Sequence, residues 1–130
     1  MTAGPPGEGR PVVLVVDDDD AIRGVVRAVL EADGFEVVEA ADGPAALMLL
    51  EAINGRGPDL VVLDVMMPGI DGIEVCRRID HDRVKVLMLS ARTDVETKAR
   101  AHAAGAEIFL TKPFSAIELL DALEGLAAPR

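Results

Sequence analysis

The sequence VVLVVDD, at residues 12–18, is an apolar run that ends in two acids. A run of aliphatic, mostly β-branched residues without polar alternation is typical of a strand that is buried on both faces. Such strands occur in parallel sheets that helices cover on each side. The acids after this strand are therefore expected at the sheet edge where parallel α/β proteins bind their ligands.

Four more apolar runs follow along the chain, at residues 35–40, 60–65, 84–89 and 107–110. A segment with apolar residues at helical spacing comes after each run. The clearest stripes are Ile22, Val25, Val26, Val29 and Leu30; Ala46, Leu49, Leu50 and Ile53; Ile73, Cys76 and Ile79; and Ala116, Leu119, Leu120 and Leu123. Strand and helix thus alternate five times, which predicts the α/β class and one doubly wound, five-stranded parallel sheet.

The fourth helix, about Val95 to Ala104, has the weakest apolar pattern. Its expected buried stripe consists of Val95, Ala99 and either His102 or Ala103. Because small side chains bury little area, this helix is predicted to be the most mobile one.

Length and composition indicate a single domain. The chain has 130 residues, of which 50% are hydrophobic, and this is enough for one buried core. Residues 1–11 are rich in Gly and Pro and have no apolar period, so they are predicted to form a flexible tail. The folded domain is expected at residues 12–127, with a short C-terminal tail at residues 128–130.

Net charge limits the kinds of partner that the protein can bind, and the apolar pattern limits its location in the cell. The 23 acidic and 13 basic residues give a formal net charge of −10, which repels nucleic acids and anionic lipids, so direct nucleic-acid binding is not expected. No apolar stretch approaches the roughly 20 residues that a membrane-spanning helix needs, and the first residues do not resemble a signal peptide. A cytoplasmic location is predicted. The single cysteine, Cys76, is predicted to be a small core residue.

Polar residues with reactive or ligating groups lie at the carboxyl ends of four of the five predicted strands. They are Asp17 and Asp18, Asp64, Ser90 and Lys112. Because the carboxyl ends of parallel strands meet at one edge of a sheet, these residues are expected to converge although they lie far apart in the chain. Three close carboxylates repel one another unless a cation neutralises them. Oxygen ligands without a nearby cysteine or strand-end histidine favour a hard ion, magnesium or manganese, over zinc.

Structural roles compete with functional ones at several of these positions. Asp19 or Asp20 is a good helix N-cap, and a serine such as Ser90 at a strand end is often a turn residue. Both histidines, His81 and His102, are expected to be solvated surface residues. Asp64 differs, because apolar residues surround it on both sides and an unpaired buried carboxylate would be costly. A functional role therefore explains Asp64 better.

Four stretches of the chain resemble the receiver domains of bacterial response regulators. They are VLVVDD at residues 13–18, DVMMPGIDG at 64–72, LSA at 89–91 and TKPF at 111–114. They stand in the family's order and spacing, and the resemblance covers about residues 11–126. It implies a flavodoxin-like (βα)5 fold with strand order 2-1-3-4-5. It also implies a phosphoacceptor in a two-component system or phosphorelay.

The resemblance implies a role for each strand-end residue. Asp64 is the expected phosphoacceptor, and Lys112 the lysine that pairs with the phosphate. Asp18 and the backbone carbonyl of Met66 are the expected direct ligands of Mg²⁺, for which Mn²⁺ can substitute. Asp17 is expected to hold the metal through water.

The family also implies a switch and two positions that tune it. Ser90 and Phe109 occupy the places of the switch pair, in which the hydroxyl moves to the phosphoryl group and the ring turns inward behind it. Met66 and Arg92 lie where the family tunes the lifetime of its phosphate. Phe109 lacks the hydroxyl of the more usual tyrosine.

Partners are also inferred from the resemblance. A sensor histidine kinase or a histidine phosphotransfer protein is expected as phosphodonor, and a downstream protein is expected to bind helix 4, strand 5 and helix 5. Winged-helix receivers commonly have Ala-Asp-Asp-Tyr at strand 5 and basic residues in the last helix, where this chain has AEIF at residues 106–109 and then Ile117 and Ala122. A charge-paired dimer is therefore not expected.

Two other functions fit parts of the pattern. A phosphatase of the haloacid dehalogenase type would use Asp17 as nucleophile, with Asp19, Ser90 and Lys112, but this leaves Asp64 unexplained. A degenerate receiver would only bind proteins, without phosphate, yet none of the expected acid, serine and lysine residues is missing.

Overall fold

The computed structural model describes residues 11–51 and 57–127, and all that follows concerns these residues. Most of the predicted N-terminal tail, the C-terminal tail and the predicted core position of Ile53 lie outside the described residues. Pro11, predicted to belong to the tail, has its carbonyl oxygen 3.1 Å from the amide nitrogen of Glu36, which donates a hydrogen bond to it. Pro11 is thus attached to the fold.

Strands and helices alternate as predicted from the apolar runs. In chain order they are β1 (Val12–Val16), α1 (Asp20–Ala32), β2 (Glu36–Ala40), α2 (Gly43–Leu50), β3 (Leu60–Asp64), α3 (Gly72–Arg77), β4 (Lys85–Ser90), α4 (Val95–Ala103), β5 (Ile108–Thr111) and α5 (Ala116–Ala127). The strand boundaries differ from the apolar runs by a single residue at most at each end.

The strands form one parallel sheet in the order β2-β1-β3-β4-β5. The expected fold is therefore confirmed. Val16 at the end of β1 is in register with Leu63, and Asp64 at the end of β3 is in register with Leu89. The carboxyl ends of the inner strands are thus nearly level, so the residues that follow them lie side by side.

Both faces of the sheet are buried. Leu14 and Val61 belong to a core shared with α2, α3 and α4, whereas Val13 and Val62 belong to a second core under α1 and α5. Each of these four side chains is fully inaccessible to solvent. Burying an aliphatic side chain contributes about 1.5–3 kcal/mol, so the strands that carry the site residues are held firmly from both sides.

The predicted buried face of α1 is wrong at one residue, Val25, and the predicted buried face of α4 is wrong throughout. Val25 of α1 is 57% exposed, and Val95 of α4 is 83% exposed. Ala99, His102 and Ala103 of α4 are exposed as well, and the buried residues of this helix are Thr97 and Ala101.

The buried side of α4 can carry the hydroxyl of Thr97 because the carboxylate of Asp94 accepts a hydrogen bond from it. The carboxylate of Asp94 accepts hydrogen bonds from the backbone nitrogen of Thr97 at 3.0 Å and from its hydroxyl at 2.9 Å. A polar residue can therefore occupy the buried face, and Val95 in the first turn is left in solvent.

The connection between α3 and β4 holds a histidine that was expected on the surface. His81 is half-buried, and its Nε2 donates a hydrogen bond of 2.7 Å to the carbonyl of Cys76. Its ring packs on Gly105, where an added Cβ would lie 2.4 Å from Nε2. Cys76 is fully buried, as predicted. The exposed location predicted for His102 is confirmed.

Within the described residues, no helix combines the length and the apolar character needed to cross a bilayer.

Candidate functional site

The end of β1 places Asp17 inside the sheet edge. Its side chain is only 2% exposed, and two groups hold its two oxygens. The backbone nitrogen of Asp19 donates to Oδ1 at 2.9 Å, and Nζ of Lys112 donates to Oδ2 at 3.0 Å. The carboxylate is therefore fixed in direction before any ligand arrives.

Asp64, the last residue of β3, faces the same space. It is 3% exposed, and its Oδ1 lies 3.2 Å from Nζ of Lys112. The backbone nitrogen of Met66 donates to the same oxygen at 3.3 Å. Burial, and after it the charge of Asp17, raises the pKa of Asp64 to about 6, although Lys112 and the Met66 amide act in the opposite direction.

Lys112 follows β5 directly and bridges the two buried carboxylates. Its backbone nitrogen donates to the carbonyl of Ser90 at 2.8 Å, which continues the pairing of β4 with β5 and directs the residue into the site. Burial alone would lower the pKa of Lys112, but Asp17 and Asp64 together leave it above its usual value. The peptide bond from Lys112 to Pro113 is cis.

Three carboxylates converge at this point. Ligand oxygens of Asp17, Asp18 and Asp64 all lie within 4.8 Å of one another, and Asp18 is exposed while the other two are buried. A set of oxygen donors that is open on one side suits a hard divalent ion, which retains water molecules. The residues present therefore fit the expected metal. The single ammonium group of Lys112 neutralises only part of their charge.

Asp19 and Asp20, which follow Asp17 and Asp18 in the chain, form the start of α1. Oδ1 of Asp19 accepts hydrogen bonds from the backbone nitrogens of Ala21 at 2.9 Å and Ile22 at 3.2 Å, and Asp20 begins the helix. The structural role predicted for this pair is confirmed.

Ser90 ends β4, the strand that pairs with β3, and Phe109 lies in β5. Ser90 is fully buried, and its Oγ accepts a hydrogen bond of 3.0 Å from the backbone nitrogen of Arg92. Phe109 is half-buried against the core, and the ammonium of Lys98 lies 5.9 Å from the centre of its ring. Arg92 is exposed and pairs through Nε with Asp94 at 3.1 Å.

Gly72, at the start of α3, is a site residue that the sequence patterns did not single out. A Cβ on Gly72 would lie 2.0 Å from the carbonyl oxygen of Asp64 and 3.0 Å from Cα of Val65. The Gly72 nitrogen donates to the carbonyl of Val65 at 2.9 Å. The helix therefore packs directly on the backbone that carries Asp64. The sequence signal was Asp71-Gly72 at a helix start, because Asp71 caps α3.

Gly72→Ala is expected to destabilise the protein by about 2 kcal/mol or more, because the added methyl must displace either the helix or the end of β3. Chemical denaturation measures this change. Gly24→Ala is the matched control, since Gly24 lies in α1 with nothing within 4 Å of an added Cβ. The control should stabilise the protein by about 0.5–1 kcal/mol. Equal stability of the two variants would contradict the close approach at Gly72.

Comparisons with known proteins agree with this geometry. The family model of the response regulator receiver domain matches residues 13–124. The chain belongs to the response regulator receiver domain family. This receiver domain is 47% identical over 109 residues to the transcriptional regulatory protein CseB of Streptomyces avermitilis, covering 83% of the chain and 45% of that protein. It is 46% identical over 116 residues to the response regulator MprA of a Mycobacterium species, covering 88% of the chain and 49% of that protein.

A solved structure gives the same fold. The receiver domain aligns with a CheY-like response regulator receiver protein from Methanospirillum hungatei JF-1 with a TM-score of 0.83 and 27% identity, covering 91% of this chain and 94% of that one. The chain spans about half the length of the curated relatives it matches. The receiver domain belongs to a family of signalling proteins, not to a family of catalytic enzymes. This assignment displaces the phosphatase alternative.

Proposed function

We propose that this receiver domain accepts a phosphoryl group on Asp64 from a phosphohistidine, in the cytoplasm. The donor is a sensor histidine kinase or a histidine phosphotransfer protein. The observation that carries the proposal is the buried Asp64 carboxylate, 3.2 Å from the ammonium of Lys112 and facing two further acids. We further propose that the folded unit comprises residues 12–127 together with the attached Pro11, and that residues 1–10 and 128–130 are tails.

The reaction is an in-line displacement at phosphorus. An oxygen of Asp64 forms a bond to phosphorus while the bond between phosphorus and the histidine nitrogen breaks, and the imidazole leaves with the bonding pair. Lys112 offsets the charge on the transferring oxygens. Later, water attacks the acyl phosphate and restores the free carboxylate and inorganic phosphate. The domain assists only these two reactions on itself.

The acidic cluster is proposed to hold Mg²⁺ or Mn²⁺. Asp18, Asp64 and the backbone carbonyl of Met66 would be its direct ligands, and Asp17 would hold it through water. When bound, the ion supplies positive charge next to the phosphoryl oxygens. The three carboxylates within 4.8 Å of one another support this proposal, because their repulsion favours a cation.

Phosphorylation is proposed to act through Ser90 and Phe109. A phosphoryl group adds roughly −1.5 to −2 of charge and three acceptor oxygens, so the Ser90 hydroxyl is drawn towards it. This hydroxyl now accepts from the Arg92 amide, and its movement would release the turn that precedes α4. Phe109 could then turn inward, away from Lys98.

The output surface is proposed to comprise α4, β5 and α5, where a downstream protein binds. Val95 and Ile117, at the starts of α4 and α5, are 83% and 72% exposed and offer apolar contacts. The receiver domain itself, with its net charge of −10, is not proposed to bind nucleic acid. Amide hydrogen exchange in α4 and β5 should change on phosphorylation, and unchanged exchange there would contradict this assignment.

Met66 and Arg92 are proposed to set the lifetime of the phosphate. Met66, two residues after the acceptor, is 53% exposed. Met66→Ala should open a path for water and speed the loss of the acyl phosphate severalfold, and Arg92→Ala should also change this rate. Phosphorylation itself should continue in both variants. Intact mass, followed over time after removal of the donor, measures the decay.

The control for this series is Met48→Ala, because Met48 on α2 is 75% exposed but lies outside the site. Its decay rate should equal that of the wild type. Unchanged decay in both site variants would contradict the tuning role.

The test of the proposed function is intact mass after treatment with acetyl phosphate. The wild-type domain should gain the mass of one phosphoryl group with Mg²⁺ present, and little or none in a chelator. No gain under either condition would overturn the proposal in favour of the degenerate receiver that binds proteins without phosphate.

A further inference from the structure

Arg23, in the first turns of α1, holds the chain where it enters the acidic cluster. Its Nη1 donates to the backbone carbonyl of Asp17 at 2.7 Å, and its Nε donates to Oε1 of Glu39 on β2 at 2.8 Å. Its Nη2 donates to Oδ1 of Asp20 at 2.6 Å. One planar guanidinium thus joins the end of β1, the start of α1 and the edge strand β2.

This arrangement differs from an ordinary surface ion pair. The Arg23 side chain is 14% exposed, whereas exposed pairs contribute little because water screens them. One of its three acceptors is a backbone carbonyl, so the contact fixes a peptide plane. A rigid fork of donors suits this geometry, and a lysine ammonium cannot reproduce it.

The peptide that Arg23 holds is the one that links Asp17 to Asp18. The nitrogen of Asp17 is also fixed, since it donates to the carbonyl of Ala40 at 3.3 Å. The peptide groups before and after Asp17 are therefore both restrained. The orientation of the second one, between Asp17 and Asp18, sets the direction in which the Asp18 side chain projects. Within the part of the chain that the structure describes, no hydrogen bond restrains the exposed side chain of Asp18 in this way.

Glu39 in turn holds Arg23 in place. It accepts from Arg27 as well as from Arg23, and Arg27 also pairs with Glu31 at 3.0 Å. Arg27 shares the carboxylate of Glu39 but is one turn farther from the cluster, and among the described residues its hydrogen-bond acceptors are Glu31 and Glu39. The chain therefore offers a matched pair of arginines: Arg23 donates to the Asp17 carbonyl, and Arg27 donates to carboxylates instead.

We propose that Arg23 is a positioning residue for the acidic cluster: by fixing the peptide between Asp17 and Asp18, it orients their carboxylates for a divalent cation. This inference rests on the proposed metal site. It assigns the arginine a role that does not require contact with the cation or the phosphoryl group. Groups of this kind, which orient the ligands of a metal, commonly affect its affinity about 10-fold or more.

The test is Mg²⁺ affinity by titration calorimetry on the phosphate-free domain, with Mn²⁺ binding by paramagnetic resonance as a second readout. Arg23→Lys keeps the charge and removes the fork, and it should weaken binding by about 10-fold. Arg27→Lys should bind as the wild type does. Thermal unfolding in chelator reports the stability of each variant separately from its affinity.

The outcomes separate this inference from the proposed function. Wild-type protein that binds neither ion would overturn the metal site itself. Wild-type binding with equal affinity in Arg23→Lys, or equal weakening in both arginine variants, would overturn only the positioning role. Should Arg23→Lys fail to fold, Glu39→Gln loosens Arg23 without removing it. Weaker binding in Glu39→Gln would then support the role, and unchanged binding would overturn it.

Discussion

Asp64→Asn is expected to abolish phosphorylation by acetyl phosphate in the presence of Mg²⁺. An amide has almost the same shape as a carboxylate, so the 3%-exposed side chain can be replaced without opening a cavity. The amide lacks the anionic oxygen that attacks phosphorus, however. Because it is uncharged, it also attracts a divalent ion less strongly. Intact mass should show no added phosphoryl group under conditions that phosphorylate the wild type fully.

Asp71→Asn is the matched control for this substitution. Asp71 lies in the loop that follows β3 and caps α3, where its Oδ1 accepts from the Glu74 nitrogen at 2.9 Å. Asparagine caps helices about as well as aspartate, so this variant should fold and be phosphorylated normally. A phosphoryl group on Asp64→Asn would place the acceptor elsewhere, and peptide mapping would then identify it.

The three inner strands, β1, β3 and β4, could be predicted because they are buried on both faces. An uninterrupted apolar run such as Leu60 to Leu63 predicts a strand that is covered on both faces. The polar residue Asp64 marks the end of this strand. Helix faces were harder to predict. Val25 and Val26 are equally apolar, yet only Val26 faces the core, because the width of a helix's buried side depends on its neighbours.

The site was predictable to the extent that parallel strands bring their ends together. This rule was enough to gather Asp17, Asp64 and Lys112, which the ion pairs of the structure join directly. It could not find Arg23 or Gly72. Arg23 acts on a backbone carbonyl and Gly72 permits a close backbone approach, and neither requirement leaves an apolar period or a cluster of ligands in the sequence.

Lys112→Met is expected to slow phosphorylation by about 100-fold while the fold persists. The ammonium lies between two buried carboxylates, at 3.0 Å from Asp17 and 3.2 Å from Asp64. Methionine fills a similar volume but offers no charge to the transferring phosphoryl group, and losing one such preorganised donor commonly reduces rates by about 10²-fold or more. Its loss also leaves the two carboxylates to repel each other, which favours the protonated, unreactive form of Asp64. The rate of acyl phosphate formation, measured by mass at fixed times, checks this prediction.

Lys85→Met tests whether the phosphorylation rate depends on where the lysine charge lies or only on the net charge of the protein. Lys85 begins β4, at the opposite edge of the sheet from Asp64, so its removal changes net charge equally but leaves the site intact. Its phosphorylation rate should stay near that of the wild type. If both lysine variants slowed to the same extent, the effect would come from the overall field of an already acidic protein. A loss confined to Lys112→Met would instead require an ammonium within contact distance of the reacting oxygens, since a distant charge is screened by solvent.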